Sequence, residues 1–401
     1  HKGNLIFDAQ FESGNLGRVD TISKSEYDLF IRPDTCNSKY RVWFYFSVDN
    51  AEDKQRVVFN IVNFSKIRSL FDSGIAAPVM RKEKDETWNR IAAKHLYYYR
   101  SSLHNDHFVL SFAYVFDEPH KVYFAYSIPY THSKLKSFLS DLEARQLTFF
   151  RRRVLTETIQ RREVDLITIE DESAINSRKK MIFITGRVHP GETPSSHLIH
   201  GFIQFLVSDD PRALKLRSEC SFKIIPMLNP DGVVLGNYRC SLLGMDLNRH
   251  WSKPSQWAHP TIFATRNLLI HYESNPMVEI TLYIDIHAHS QKTNSFLYGN
   301  PSNLENHKDR KLWLPYALSS VADDFSLAYT QFNKDADKEG TGRRAMGSIL
   351  SCECFTLEVS FFSYRPKDSL TAKTIPYLSC KYESLGEHLC LSILHYMEAL
   401  K

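Results

Sequence analysis

The 401-residue chain has no apolar run long enough to span a bilayer, no secretory leader, no internal repeat and no low-complexity segment. Membrane spans and repeat arrays are therefore not expected in its architecture. Charge of one sign is also lacking. Fifty Lys and Arg oppose 46 Asp and Glu, a formal net charge of +4, which does not suggest generic nucleic-acid binding and leaves room only for a local basic funnel. Cysteine is sparse: seven residues, an odd count, at positions 36, 220, 240, 352, 354, 380 and 390, form no dense disulfide framework. A reduced, cytoplasmic compartment is the expectation. There the triplet Asn63-Phe64-Ser65 carries no glycan, and Cys352 with Cys354, lacking a second pair, reads as structural. The chain does not open on Met, so a few residues are expected ahead of His1.

What is present begins with an apolar content of 43%, enough for sizeable cores and two domains. The chain changes character near residue 128. Before it, strand-like stretches at 5–11, 40–48, 56–64, 107–116 and 122–127 predict an antiparallel β-sandwich over residues 1–127. In 40–48 both alternating sets contain aromatics, which predicts one core face and one partly covered face. After Pro129 a helix is predicted over 133–145. Strands then alternate with helices through residues 128–401, the pattern of an α/β domain with a mixed sheet covered on both faces. Arg151-Arg152-Arg153 and Arg161-Arg162 read as solvated helix or loop faces able to steer an acidic partner.

The chemistry is carried by His189-Pro190-Gly191-Glu192. A short buried strand at 181–184 precedes it and a helix over 195–207 follows, so both side chains can face one point at a strand's carboxyl end. Zinc accepts nitrogen and oxygen ligands, and a catalytic zinc takes three from the protein. A third is offered by the apolar strand 280–286, which delivers His287 to the same edge. His289 competes for the role but is assigned to the wall of the site. In Phe355-Thr356-Leu357-Glu358-Val359-Ser360 the polar residues share one strand face. Alone, Glu358 is a half-exposed strand residue; beside a metal it becomes a candidate general base for a water. Between these elements lie the turn Asn229-Pro230-Asp231-Gly232, then Arg239, then Asp246-Leu247-Asn248-Arg249. A planar guanidinium grips carboxylates in a way that Lys cannot, so Asn248 with Arg249 can hold a terminal carboxylate and Arg239 a developing oxyanion.

The order of these five elements resembles the zinc metallocarboxypeptidases typified by the pancreatic enzymes. The wording His-Pro-Gly-Glu, Asn-Pro-Asp-Gly and Phe-Thr-Leu-Glu narrows the resemblance to the cytosolic carboxypeptidase branch, over nearly the whole chain. It implies one zinc per chain held by His189, Glu192 and His287, with Glu358 as general base and Arg239 as oxyanion arginine. It further implies Asn248 and Arg249 as carboxylate clamp, and Asp246 as support for the first zinc histidine. A β-sandwich ahead of the catalytic domain is implied too.

Two positions depart from the pancreatic pattern. Gly191 stands where those enzymes carry an arginine, and Ala336 falls where counting places their mobile tyrosine. Fifteen residues before Glu358, Arg343 takes the position that selects the last side chain, with Arg344 beside it. A guanidinium there favours acidic termini and rejects apolar ones. The resemblance thus implies removal of carboxy-terminal glutamates from the polyglutamate chains of tubulin tails and from other glutamate-terminated proteins. The enzyme is expected to act as a cytoplasmic monomer, at centrioles, basal bodies or cilia. Two other readings share parts of the pattern: a zinc amidohydrolase of the aspartoacylase type, acting on small N-acyl amino acids, and a microtubule-binding protein with an inactive site.

Overall fold

The structure is a computed structural model that describes residues 1–66, 70–73, 76–171, 179–301, 310–367 and 373–401. Its N-terminal part packs two five-stranded sheets face to face. One is antiparallel throughout and joins Ile6–Asp8, Tyr45–Asp49, Val122–Ala125, Val79–Lys82 and Asn89–Arg90 in that order. The other orders Arg18–Ser23, Glu26–Phe30, Gln55–Ile61, His107–Phe116 and Leu96–Ser101. It departs from the expected antiparallel pattern in one place, where Glu26–Phe30 and Gln55–Ile61 run parallel. Between the sheets the rings of Phe46, Phe59, Phe112 and Phe124 pack at centroid distances of 5.3–6.1 Å, within the range of favourable aromatic pairs.

The predicted strand 40–48 is shorter than expected: only Tyr45–Asp49 is strand. Residues 41–44 bond to side chains and to single backbone groups, such as the Tyr126 amide on the Phe44 carbonyl, in place of a strand ladder. The Arg41 amide donates to Ser65 Oγ, and the Trp43 carbonyl accepts from Asn15 Nδ2. Nor is one face half-covered, since every residue from Val42 to Val48 is buried. Its second face is covered from within the sandwich, where the rings of Phe11, Trp88 and Tyr123 lie 4.8–6.3 Å from that of Tyr45, while the catalytic domain packs on the sandwich through Phe361 on Tyr126 and Phe362 on Phe71. Asn63 is structural as well: its amide both accepts from and donates to the Ile31 backbone.

The second part is an eight-stranded mixed sheet. Its strands are β1 (Phe150–Glu157), β2 (Glu163–Ile169), β3 (Lys179–Gly186), β4 (Cys220–Ile225), β5 (Val278–His289), β6 (Ser295–Gly299), β7 (Gln331–Phe332) and β8 (Glu353–Ser360). Their order is β1-β2-β4-β3-β5-β8-β6-β7, and β3, β4, β5 and β8 are parallel. The near-continuous apolar runs of β3 and β5 arise because successive residues enter different cores. Ile182, Ile184, Leu282 and Ile284 join the cluster of helices α1 (Thr193–Leu206) and α3 (Ser379–Ala399). Met181, Phe183, Ile280 and Tyr283 join that of helix α2 (Pro260–Glu273). Helices α1 and α3 cross closely at Gly201 and Gly386, where an added Cβ would lie 2.1 Å from the opposing carbonyl.

Arg151–Arg153 belong to strand β1, not to a solvated helix or loop. Arg152 bonds Asp165 at 2.8 Å and Glu143 at 2.7 Å, Arg161 pairs with Glu157, and Arg162 with buried Asp231. Arg152 and Arg162 are thus tied to carboxylates of the fold, whereas Arg151, Arg153 and Arg161 are exposed, as expected of a solvated face. All seven cysteines are free. Among the described residues no helix is long and apolar enough to cross a membrane.

Candidate active site

Three parallel strands end side by side and carry the site. Strand β3 leads into the His-Pro-Gly-Glu loop through Arg187, a buried non-glycine residue in the left-handed region at φ 54°. Its guanidinium holds that turn from inside, donating to the Pro190 carbonyl (2.7 Å), the Tyr130 carbonyl (3.0 Å) and Ser196 Oγ (2.8 Å). Strain of this kind persists only where surrounding bonds over-determine the conformation. From this loop His189 and Glu192 project, 4% and 6% exposed. The next turn is tied in by Asn229, whose Nδ2 donates to the Val188 carbonyl while its Oδ1 accepts from the Gly232 amide. Helix α1 starts at Thr193 with Pro194 in its first turn, where a missing N–H costs nothing.

Strand β5 runs further than the predicted 280–286 and contains His287 and His289. One nitrogen each from His189 and His287 and an oxygen of Glu192 lie within 4.8 Å of one another. His189 Nδ1 is 2.7 Å from Glu192 Oε1, and His287 Nδ1 is 3.0 Å from Oε2. The far nitrogens face carboxylates: His189 Nε2 meets Asp246 at 3.1 Å and His287 Nε2 meets Asp285 at 2.8 Å. That arrangement gives each Nε2–H a carboxylate and turns both Nδ1 atoms inward on Glu192, where a metal ion would take the place of the proton each shares with it. The electrostatics agree. Burial opposes a charged His287, yet Asp285 and Glu192 outweigh it and push its pKa up. Burial likewise opposes the Glu192 carboxylate, but His189 and His287 hold it well below its usual range. A pocket that stabilises positive charge among two imidazoles and one carboxylate fits a zinc ion in donor type, number and convergence.

Asp285 was not anticipated, although the alternation Asp285-Ile286-His287 places both polar residues on one strand face. It is fully buried and accepts from Thr185 Oγ1 at 2.8 Å. Asp246 does a double duty. One oxygen faces His189, and the other accepts from Arg239 Nε (2.8 Å) and Nη2 (2.7 Å). Burial weighs against the Asp246 carboxylate, but His189, Arg239 and Arg249 hold its pKa far below normal. Burial also weighs against the Arg239 cation, and Asp246 and Glu192 more than reverse it.

A cleft of about 550 Å³ opens over this cluster. His189, Glu192, His287, Glu358, Arg239, Asn248, Arg249 and Arg343 all line it. Glu358 sits on β8 directly opposite His287. It opens onto the cleft yet is enclosed by protein, and burial foremost, then the nearby Glu192, push its pKa up to about 7 against the pull of His287 and His189. Asn248 is fixed, its Oδ1 accepting from the Gly342 amide at 2.9 Å. Arg249 Nη1 donates to the Asn248 carbonyl and is 3.9 Å from Asp246.

Arg343 is 4% exposed and, among the described residues, donates to the oxygens of Gly299, Asn300 and Asn333. No carboxylate pairs with it among the described residues. Burial first, then Arg344, pulls its pKa down to about 10, with Asp335 opposing. Arg344, expected to assist it, is not among the cleft residues. On the short helix Gly342–Met346 the next side chain points about 100° away, and its Nε is buried without a partner among the described residues. His289 lines the wall, and burial first, then Lys292 and Lys66, brings its pKa down to about 4. Lys66, from the N-terminal sandwich, also lines the cleft and donates to Ser290 Oγ at 2.9 Å. No local sequence signal marks it. Ala336 lies in the exposed turn Ala336–Lys338.

Residues 7–127 match the family described as the cytosolic carboxypeptidase N-terminal domain, and residues 135–350 match the zinc carboxypeptidase family. A protein named cytosolic carboxypeptidase 6 from Caenorhabditis elegans is 58% identical over 405 residues, 99% of this chain and 88% of the relative. Its Homo sapiens namesake is 50% identical over 98% of this chain and 79% of its own length. A solved metallo-carboxypeptidase from Burkholderia cenocepacia superposes with a TM-score of 0.83 at 23% identity, covering 99% of this chain and 100% of that one, a likeness of fold. The aspartoacylase-type and inactive-site readings are thereby set aside. The chain is a metallocarboxypeptidase: it belongs to the zinc carboxypeptidase family, in the cytosolic carboxypeptidase branch.

Proposed function

We propose that this enzyme removes carboxy-terminal glutamates from acidic protein tails, with tubulin polyglutamate chains as its principal substrate and the cytoplasm as its place of action. One observation carries the reading: Arg343, buried and lining the cleft, has no carboxylate paired with it among the described residues. A buried cation hydrogen-bonded to neutral acceptors favours an anionic visitor and disfavours an apolar one.

His189, Glu192 and His287 would hold one zinc, which when bound supplies Lewis acidity to the scissile carbonyl and lowers the pKa of water toward about 7. Glu358 takes one proton from the attacking water and passes it to the departing amine as the C–N bond breaks. Arg239, aimed by Asp246, offsets the charge developing on the carbonyl oxygen. Asn248 and Arg249 receive the terminal carboxylate, which restricts cleavage to the last residue. Arg343 pairs with the γ-carboxylate of that residue, while Arg344 takes no part.

The test is to incubate the purified enzyme with polyglutamylated tubulin, with and without a zinc chelator, and to read chain lengths by mass spectrometry. Stepwise loss of glutamate that the chelator stops is the expected result. Intact chains, alongside brisk release of apolar residues from synthetic peptides, would overturn the substrate assignment.

A further inference from the structure

Arg239 lies in residues 236–244, a stretch with no helix or strand of its own. Asp246 grips its side chain, but that does not explain what fixes the backbone from which the side chain reaches. The N-terminal domain does so. Asp34, 3% exposed, turns its carboxylate onto three consecutive amides: Oδ1 accepts from the Tyr238 N–H (2.6 Å), and Oδ2 from those of Arg239 and Cys240 (2.7 Å each). No cation pairs with Asp34 among the described residues, so these amides are its compensation for burial. Burial raises its pKa and the three amides oppose that rise.

Asp34 is itself held in a tight bend, its N–H donating to the Tyr40 carbonyl and its own carbonyl accepting from the Asn37 amide. Its neighbours extend the grip. The Thr35 amide and hydroxyl both donate to Asn237 Oδ1 (3.1 and 3.0 Å), and Asn37 Nδ2 donates to the Gly244 carbonyl. The clamp also reaches the zinc-site loop, because the Tyr238 carbonyl accepts the Gly191 amide at 2.7 Å.

We propose that Asp34 is a positioning residue of the catalytic centre, holding the backbone of Arg239 so that its guanidinium meets the reacting carbonyl oxygen. The sandwich domain is then part of the active site, which the catalytic domain alone would leave with a slack oxyanion arginine. A charged acceptor suits this role because one neutral amide oxygen cannot serve three donors. The inference rests on the assignment of Arg239 to the oxyanion.

The test uses the full chain loaded with zinc and a glutamate-terminated peptide. Asp34→Asn keeps the shape and loses one acceptor oxygen. Removing an oxyanion donor outright costs about 100- to 1,000-fold, so loosening its aim should lower kcat by about 10-fold with KM within about 2-fold. A tetrahedral phosphinic analogue of the peptide should lose affinity in parallel with kcat. In an Arg239→Ala background Asp34→Asn should change kcat no further, since there is no guanidinium left to aim. Losses that multiply in the double variant, or an effect on KM alone, would overturn the proposal, as would unchanged kcat in Asp34→Asn beside an impaired Arg239→Ala. Full kcat in Arg239→Ala would instead remove the oxyanion assignment beneath it. Should Asp34→Asn not fold, Thr35→Val probes the same clamp. It should lower kcat by about 3-fold with KM unchanged, a fraction of the cost of losing a donor, and wild-type kcat there overturns the proposal.

Discussion

Glu358 and His287 stand directly opposite each other on adjacent parallel strands, β8 and β5. Parallel pairing sends both side chains to the same face, so the proposed general base is held beside a proposed metal ligand by backbone hydrogen bonds. The base needs no loop movement to reach its place.

Glu358→Gln should therefore abolish turnover without disturbing the metal site. The amide preserves shape but cannot take a proton, and losing a general base costs about 100- to 10,000-fold. Peptide hydrolysis should fall by at least that lower figure while metal analysis still finds about one zinc per chain, the stoichiometry of a three-ligand site. Undiminished hydrolysis would remove Glu358 from the mechanism.

Arg343→Leu should move preference from glutamate toward apolar termini. A site built around a charged partner rejects an uncharged substitute strongly, whereas apolar pockets discriminate weakly. kcat/KM for a glutamate-terminated peptide should drop by about 100-fold or more, equivalent to about 2.7 kcal/mol. That for a leucine-terminated peptide should rise. If glutamate release is unchanged, Arg343 does not read the side chain.

The parts of this site that were legible in the sequence are those in which chemistry and secondary structure coincide. His189 with Glu192, His287 and Glu358 each sit at the end of an apolar strand, and a strand's period fixes which side chains share a face. Arg343 was reachable by its spacing from Glu358. Contacts between distant segments were not legible. Lys66 and Asp34 come from another domain, and nothing in their neighbourhoods marks them as facing a cleft or an arginine loop. Strand 40–48 was overextended because alternation was read without knowing that its backbone bonds go to Asn15 and Ser65. Arg151–Arg153 were read as helix or loop where they form a strand, and Arg152 alone of the three is not exposed, because its partners Glu143 and Asp165 lie on other elements. Arg344 was included by adjacency, though consecutive helical residues diverge.

Asp285→Asn probes the support behind His287. The carboxylate orients the ring and strengthens its lone pair, and loss of such a partner weakens metal binding by about 10- to 100-fold. Competition against a chromogenic chelator should show that loss, with hydrolysis recovering at high zinc. Zinc affinity equal to wild type would mean that the strand alone orients the ring.

The fold should lose stability between pH 7 and 5, in part through His200. This ring stacks on Phe138 at 3.7 Å and meets Tyr130 Oη at 2.9 Å. Burial first, then Lys134 and His197, brings its pKa down to about 4. An unfolded histidine titrates near 6.5, so between those values the unfolded state binds more protons. The contribution is whole above about 6.5 and drains away as pH falls toward about 4. With allowance for partial exposure, His200→Asn should remove about 1 kcal/mol of the loss between those two pH values. Urea midpoints at pH 7 and pH 5 measure it, and an unaltered pH slope would exclude His200 as a contributor.

Gly191 departs from the pancreatic arginine because its space is already taken. A Cβ there would lie 2.6 Å from Tyr238 Cδ2 and 2.9 Å from the Tyr238 carbonyl oxygen, the same oxygen that accepts the Gly191 amide. Gly191→Ala must push apart the loop bearing His189 and Glu192 and the loop bearing Arg239. Overpacking of this kind costs about 1–3 kcal/mol, and here it should also weaken zinc affinity, since two ligands flank the strained residue. Thermal melts with and without zinc separate the two effects: the variant should melt lower in both, and zinc should raise its midpoint less than it raises that of the wild type. Trimming the ring with Tyr238→Ala should restore part of the stability but not all, because the carbonyl clash remains. A Gly191→Ala variant with the wild-type melting point and zinc response would show that the two loops are free to separate.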